Sequence, residues 1–316
     1  MEGNDYLSIE LNFNTIDDYS AAIKEFDLEA IQISSGKYIN SHSFVELPMI
    51  QVGRRSMVCS TVHNGIMMDE ALYFIIPDDE LFTKFNGYNF GATELLIIPP
   101  GLEVSSYFPE DFSASVLSIP IQSLVKNLDL YAYENLFSYL KLFCKSQNSS
   151  SQFMRINRLL SNQVKIAIKE QKKLSNQSLD DIQQNIFSIL NNFFSNAVTF
   201  KKQHLLKIEN HQNIVRRVIS YLREHQAINV TIPELASIGL CSIGSLENAF
   251  KSILNMTPKS YLVKRRMHMI HLILMNEPVP SIRELVNLFG VVNVGRFSND
   301  YFKMFGIYPH EHINQL

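Results

Sequence analysis

The sequence predicts an α+β protein in which an N-terminal antiparallel β-barrel, with helices following it, precedes an all-α C-terminal domain. Between about residues 30 and 125, short β-rich runs recur at roughly ten-residue intervals, separated by Gly, Pro, Asn and Asp. That pattern is typical of an antiparallel barrel or sandwich. From about 126 to 205, apolar residues recur every three or four positions, which predicts helices. After Ile214 the helical pattern continues, and one arrangement of two short helices occurs twice.

The composition is that of a globular protein with about two domains. The chain has 316 residues, of which 46% are hydrophobic and 19% are charged, and a domain averages roughly 150 residues. We expect a first domain over residues 1–205, with its barrel at about 30–125 and its helices at about 126–205. A second domain is expected over residues 210–316, and the polar stretch 201–212 is the predicted linker.

Neither a membrane-spanning segment nor a secretory signal is visible in the sequence. No apolar run reaches the ~18 residues that a spanning helix requires, and the N-terminus is acidic where a signal peptide would be basic. Cys59, Cys144 and Cys241 are scattered and form no CxxC pair, which argues against a disulfide framework or a zinc site. These features predict a cytoplasmic protein.

Charge is distributed unevenly along the chain. Residues 201–316 contain 14 Lys and Arg against 8 Asp and Glu, whereas the whole chain contains 28 against 31. The C-terminal third is therefore basic and the remainder acidic, which favours a polyanionic partner for the C-terminal third. Ordinary variation in surface charge is the alternative.

The N-terminal region offers a ligand-binding interpretation but no catalytic one. Residues 15–29 are predicted to form a helix capped by Thr15, ahead of the barrel. Small barrels often hold a ligand, and His42 and His63 raise the question of a cupin-like metal site. No second histidine or carboxylate follows at a ligand spacing, so we expect surface or hydrogen-bonded histidines, no metal and no cofactor. An enzyme would need a metal or a catalytic dyad, and since the sequence offers neither, none is expected.

The segment 179–200 carries a wide apolar stripe that must be buried against something. Two interpretations are open. The stripe packs inside the first domain, or it forms the interface of a homodimer.

The C-terminal third contains a repeated motif. Residues 231–258 and 281–309 each follow the order capped helix, turn, second helix and Pro, with Phe250 and Tyr301, like Pro258 and Pro309, separated by 51 positions. Thr231 with Glu234 predicts a capping box at the first helix. Two helix-turn-helix units on one long helix could place their second helices in successive major grooves of DNA, ~34 Å apart.

These residues resemble the DNA-binding domain of the AraC/XylS family of bacterial transcription regulators over about residues 212–313. The resemblance is carried in the first half by Leu235, Ala236, Ser242, Leu246, Phe250, Leu254, Pro258, Tyr261, Leu262 and Arg266. In the second half it is carried by Gly290, Arg296, Phe297, Ser298, Tyr301, Phe305, Gly306 and Pro309. It implies double-stranded promoter or operator DNA as the partner, RNA polymerase as a further partner on that DNA, and a small-molecule effector. An activator is expected, with a repressor as the open alternative.

The chain departs from the family pattern at four positions. Leu240 stands where the family has glycine, Val291 where it has phenylalanine, Asn299 where arginine is common, and Gly244 where a larger side chain reaches a base. The first recognition helix is therefore short of side chains that read bases.

The residues expected to meet DNA lie on the two second helices. They are Ser242, Gly244, Ser245, Glu247, Asn248, Lys251, Asn293, Arg296, Asn299 and Lys303. Asn248 and Glu247 suit adenine and cytosine edges, and Arg296 suits guanine unless it only anchors phosphate. Glu247 has the alternative of a solvated or paired carboxylate. Backbone N–H groups near Ser242 and Val294 are expected to meet phosphate.

The connector helix carries further polar residues. The resemblance implies a structural salt bridge for Arg266. His268 and His271 are three residues apart, and we expect them to be surface residues rather than a metal pair.

The sequence therefore predicts a transcriptional regulator that binds specific DNA and responds to a small-molecule effector held in its N-terminal domain. The alternative is a ligand-independent DNA-binding or interaction protein whose barrel is a solid dimerisation scaffold.

Overall fold

The computed structural model describes residues 7–23, 26–68, 70–78, 83–91, 96–142, 150–170, 176–195, 206–225 and 229–313. No helix in these ranges is long and apolar enough to cross a membrane.

Eleven strands in the described ranges form two antiparallel sheets. Sheet A has the order β1-β3-β4-β11-β6-β9 and sheet B the order β2-β5-β10-β7-β8. The strand bounds are β1 Leu7–Phe13, β2 Phe26–Gln32, β3 Asn40–Glu46, β4 Gln51–Met57, β5 Thr61–Met67, β6 Ala71–Pro77, β7 Thr83–Phe85, β8 Tyr88–Phe90, β9 Leu96–Ile98, β10 Glu103–Phe108 and β11 Phe112–Pro120. The predicted antiparallel β-domain is confirmed, and within the described ranges its strands divide into these two sheets.

The sheets lie face to face, with helices on the outer face of each. Strand β6 shows this layering most clearly, because all seven of its residues are buried. Leu72, Phe74 and Ile76 belong to the core that sheet A shares with the helices after the barrel. Tyr73 and Ile75 point the other way, into the core between the sheets.

The predicted helix at residues 15–29 is shorter than expected. Helix α1 spans Ile16–Ala22, and the Thr15 hydroxyl caps it by accepting the Asp18 N–H at 3.1 Å. Strand β2 begins at Phe26, so the second half of the predicted helix is wrong. Alternating apolar residues such as Leu28 and Ala30 fit a half-buried strand better than a helix.

Four helices follow β11: α2 Ile121–Asn127, α3 Leu130–Leu142, α4 Ser150–Glu170 and α5 Asn176–Ser195. The apolar stripe of α5 is buried in the same core as sheet A, α3 and α4. Leu179, Ile186 and Leu190 are each at most 3% exposed. Packing inside the domain is therefore what covers the described part of this stripe, while residues 196–200 lie outside the described ranges.

The remaining helices are α6 Leu206–Glu224, α7 Ile232–Ile238, α8 Ile243–Leu254, α9 Pro258–Asn276, α10 Ile282–Leu288, α11 Val294–Phe305 and α12 Pro309–Ile313. The capping box predicted at Thr231 and Glu234 is present at α7. Residues 206–212, expected to belong to a linker, lie in α6 instead, and residues 201–205 are outside the described ranges.

The two helix-turn-helix units have the same turn geometry. Leu240 and Gly290 both adopt left-handed backbone conformations, with φ of 53° and 68°. The next residue in each turn donates its N–H to a carbonyl at the end of the first helix, from Cys241 to Ala236 and from Val291 to Val286, both at 3.0 Å. This conformation explains why the family pattern has glycine at the position of Leu240, because a residue with a side chain is strained there.

We expect Leu240→Gly to stabilise the chain by about 1 kcal/mol, since relief of left-handed strain exceeds the entropy cost of glycine. The Leu240 side chain is 76% exposed, so its removal sacrifices little packing. Chemical denaturation of the full chain measures the change.

Gly290→Ala is the matched control, because a Cβ there would lie 2.5 Å from the Asn229 side-chain oxygen in addition to the strain. It should destabilise. A destabilised Leu240→Gly protein would contradict the assignment.

Candidate DNA-binding surface

The first recognition helix, α8, presents a polar outer face with few long side chains. The Ser242 hydroxyl caps it by accepting the Ser245 N–H at 3.1 Å. Glu247, Asn248 and Lys251 are exposed, while the inner face, including Leu246 and Phe250, is fully buried. A Cβ added at Gly244 would meet only the Ser242 hydroxyl, at 4.0 Å, so this part of the helix surface is open.

The second recognition helix, α11, carries the longer polar side chains. Asn293 caps it, its side-chain oxygen accepting the Arg296 N–H at 2.9 Å. The Arg296 side chain is 82% exposed, and its Nε lies 3.7 Å from a carboxylate oxygen of Asp300, one turn further along. Asn299 and Lys303 are exposed on the same helix. A loosely held, exposed guanidinium can reach a base edge or a phosphate.

All ten residues expected to meet DNA are among the described residues, and nine of them are exposed or lie at an exposed cap. The exception is Ser245, which is half-buried. Two of the ten, Ser242 and Asn293, use a side-chain oxygen to cap a helix, so their first role is structural.

The N-terminal domain contacts the C-terminal end of both recognition helices. The Lys84 ammonium donates to the Lys251 carbonyl at 2.8 Å, at the end of α8. The loop after β2 reaches α11, where the Gly36 N–H donates to the Lys303 carbonyl at 2.9 Å. The Gln32 side-chain amide donates to the Met304 carbonyl at 3.0 Å. The two domains are therefore linked at the elements that would lie nearest to DNA.

A buried ion pair holds the connector helix α9 to sheet B. Arg265 Nε lies 3.0 Å from a carboxylate oxygen of Glu29, and an Arg265 terminal nitrogen donates to the Leu222 carbonyl at 2.8 Å. The Tyr261 hydroxyl donates to Glu29 at 3.2 Å. Burial, and then the Glu29 charge, raise the pKa of Tyr261 well above its usual value, so the hydroxyl keeps its proton. Arg265 is thus a structural arginine at this junction. The structural salt bridge expected for Arg266, which is half-buried, stays a prediction.

Two further ion pairs join the basic C-terminal region to the acidic N-terminal one. Arg223 lies 2.7 Å from Asp27, and Arg216 lies 3.1 Å from Glu103. Some of the basic residues of the C-terminal region are therefore paired with acidic residues of the N-terminal region.

His268 and His271 are buried, so the expectation that they are surface residues was wrong. Burial lowers the pKa of His268 to about 4, which leaves the ring neutral, and its Nε2 lies 3.0 Å from the Gln32 backbone nitrogen as an acceptor. Burial likewise lowers the pKa of His271 to about 3, and its ring stacks on Phe305 with 4.0 Å between centroids. No cluster of three His, Cys, Asp or Glu able to hold a metal occurs among the described residues.

A family model described as a helix-turn-helix domain matches residues 235–315. The chain carries an AraC/XylS-type helix-turn-helix domain. This domain extends from α7 to the end of the described chain and includes both recognition helices.

Curated relatives match a similar length of chain. The XylDLEGF operon transcriptional activator of Pseudomonas putida is 29% identical over 102 residues, which is 31% of this chain and 32% of the relative. The probable thc operon regulatory protein of Rhodococcus erythropolis is 30% identical over 105 residues, which is 33% of this chain and 32% of the relative. The matches thus span about a third of each relative.

Among solved structures, the ToxT protein of Vibrio cholerae aligns over 99% of both chains, with 12% sequence identity and a TM-score of 0.30. That score is too low to establish a shared arrangement of the two chains.

Replacing Glu29 by Gln should destabilise the full chain by about 1–3 kcal/mol, because the buried Arg265 loses its counter-charge. The matched control is Asp27→Asn on the same strand, whose side chain is 60% exposed and whose pair with Arg223 is solvated. That variant should cost less than about 1 kcal/mol. Urea denaturation measures the free energy of unfolding of both variants. Equal losses would contradict the role of Glu29 as the buried counter-charge of Arg265.

Stability should also fall as pH falls from 6.5 towards 4, since the unfolded chain binds a proton at His268 before the folded chain does. Melting temperatures of the wild type and of His268→Gln, measured across this window, test this expectation. Stability should fall less steeply with decreasing pH in His268→Gln than in the wild type, the slopes differing by the equivalent of up to one bound proton. The control His310→Gln, which alters an exposed residue, should follow the wild type. Identical slopes for all three proteins would show that His268 does not titrate as described.

Proposed function

We propose that the chain is a transcriptional regulator that binds specific promoter or operator DNA through α8 and α11. The observation that carries this proposal is the pair of exposed recognition helices fixed to one connector helix, α9. In this proposal residues 1 to about 205 sense a small molecule and residues 210–316 bind DNA. The ten polar residues described above form the contact surface, and Arg296 is the strongest reader of a base.

The second unit should discriminate between sequences more than the first. Its helix offers Arg296, Asn299 and Lys303 on the exposed face, whereas Gly244 leaves part of α8 without a side chain. The first unit would then contribute mainly phosphate contacts through Lys251 and the start of α8.

A homodimer with its interface through residues 179–200 is also part of the proposal. The apolar stripe of α5 is covered within the chain. An interface through residues 179–200 would therefore use outward polar residues of α5 such as Gln184 and Asn185, which are exposed. Sedimentation of Gln184→Arg beside the wild type would test that location.

The proposed sign of regulation rests on the name of a relative, and the proposed second protein partner follows from that sign. The P. putida relative is named as a transcriptional activator, and we extend activation to this chain as a proposal. An activator bound at a promoter would contact RNA polymerase, which makes the polymerase the second protein partner.

Selection from a random duplex library, followed by fluorescence anisotropy at several salt concentrations, tests DNA recognition. The selected duplex should bind at least ~10³-fold more tightly than random DNA. Its affinity should fall steeply between about 50 and 200 mM salt, as phosphate contacts require. No preference and no salt dependence would refute the proposal.

Arg296→Ala should cost ~1–3 kcal/mol on the selected duplex and relax the preference at one base pair. Anisotropy with single-substituted duplexes measures both effects. The control Arg283→Ala removes an arginine of α10, outside the recognition helix, and should leave the base preference unchanged. A uniform loss on all sequences would reassign Arg296 to a phosphate.

A further inference from the structure

Arg55, on β4, lies inside the N-terminal domain without a carboxylate partner among the described residues. The neighbouring Arg54, in contrast, pairs with Asp78. The Arg55 guanidinium carbon lies 4.8 Å from the ring centroid of Tyr19 and 5.1 Å from that of Phe108. One terminal nitrogen lies 3.5 Å from His63 Nδ1. A half-buried positive charge is thus held among rings and a histidine.

Several polar atoms around Arg55 are buried and lack a hydrogen-bond partner within the described structure. They include Arg55 Nε, His42 Nε2 and His63 Nε2. Buried polar groups are normally satisfied, so each exception requires a reason, such as a missing ligand. Neither histidine is exposed, so the expectation of surface residues was wrong. The expected hydrogen bonding is only partly met, since His63 Nδ1 contacts Arg55 while the Nε2 atoms of His42 and His63 have no partner among the described residues.

Arg55 carries the only positive charge of this group. Burial, and then the Arg55 charge, lower the pKa of both His42 and His63 well below the usual range. Both rings are consequently neutral at physiological pH. A ligand bound here would meet one cation and two neutral imidazoles.

Two cavities meet at Arg55. The larger, of about 140 Å³, lies between sheet A and the end of α1, and the smaller, of about 50 Å³, lies between the sheets. Both are lined by Ile23, Arg55 and Ile75. Apolar and aromatic side chains such as Phe13 and Phe85 form much of the other walls, and the larger cavity also has polar lining residues, including Gln51 and Ser118. A cavity of roughly 150 Å³ is known to hold benzene, which sets the size of an apolar ligand body at about six carbon atoms.

The chemistry of the cavity selects among ligand classes. A metal cation would be repelled by Arg55, and a sugar would bury more hydroxyls than the few polar residues of the walls can satisfy. A phosphate ester would carry nearly two negative charges against one guanidinium, which leaves buried charge uncompensated. A single carboxylate matches the planar guanidinium in charge and in geometry.

We propose that the effector is a small organic monocarboxylate whose carboxylate binds Arg55 and whose apolar body fills the cavity beneath α1. This inference rests on the proposed function, because it specifies the ligand of the sensing domain.

The position of the cavity also supplies a route to the DNA-binding domain. On β5, His63 faces Arg55, while the adjacent Val62 packs in the core formed with α6, α8 and α9. On the paired strand β2, Ile31 pairs with Val62 and joins the same core. Strands β2 and β5 therefore line the smaller cavity on one face and contact the first helix-turn-helix unit on the other. A ligand that repositions His63 would act on these two strands.

Calorimetry and thermal melting of the full chain test the ligand class. The ligands are hexanoate, cyclohexanecarboxylate and octanoate, each compared with its uncharged amide, and inorganic phosphate. We expect at least one acid to bind and to raise the melting temperature, since binding to the folded state stabilises it. The amides and phosphate should bind at least ~30-fold more weakly, as expected for loss of a buried charge-assisted contact.

Two variants locate the site. Arg55→Met should weaken binding of the acid at least ~30-fold, whereas Arg55→Lys should retain part of it. Val116→Phe fills the larger cavity and leaves Arg55 in place, so it should also abolish binding. Arg158→Met, which removes an exposed cation of α4, is the matched control and should bind like the wild type.

Three results would overturn the inference: no acid binds the wild type, the amides bind as well as the acids, or Arg55→Met and Val116→Phe both bind normally. If Arg55→Met fails to fold, Val116→Phe and the amide comparison still decide. Anisotropy on the selected duplex separates the two proposals. If the chain binds DNA selectively but binds no acid, only the proposed ligand class is refuted. If it binds acid through Arg55 but does not recognise DNA, only the proposed function is refuted.

Discussion

The buried contact between sheet B and the first helix-turn-helix unit is the interaction on which the rest of the arrangement depends. Ile31 and Val62 enter the core of that unit, and Glu29 neutralises Arg265 at its edge. Arg265 belongs to α9, the helix that joins both units. By fixing α9, this contact determines where α8 and α11 lie relative to the cavity that contains Arg55. The cavity proposed to bind the effector and the helices proposed to bind DNA are thus separated by the thickness of one β-sheet.

The helix-turn-helix units could be predicted from the sequence because short-range interactions define them. The caps at Thr231, Ser242 and the end of α11 depend on side-chain and backbone groups within a few residues. The buried faces of α8 and α11 follow the helical period because each helix packs on one side only. The residues proposed to meet DNA lie opposite those faces, so their exposure was predictable from the same pattern.

Contacts between residues that are distant in the sequence could not be predicted in this way. Helix α9 contacts both units and sheet B, so its burial follows no single stripe, and His268 was misplaced on the surface. The boundary of α1 was misjudged because Phe26 onward forms a strand only through its pairing with β5. Arg55 and His63 are 8 residues apart on different strands, and neither has a sequence signature of a binding site. Their proximity exists only in the folded domain.

The contacts between the N-terminal domain and the two recognition helices use backbone carbonyls as acceptors. Lys84 and Gly36 donate to the carbonyls of Lys251 and Lys303, whatever side chains those positions carry. Under the proposed function, a change of the side chain at 303 would therefore alter the DNA contact without breaking the hydrogen bond between the domains, and a change at 251 would alter a phosphate contact in the same way. If the proposed function holds, the choice of operator and the coupling between the domains can evolve independently, so that exposed residues alone would decide which genes the proposed sensing domain controls.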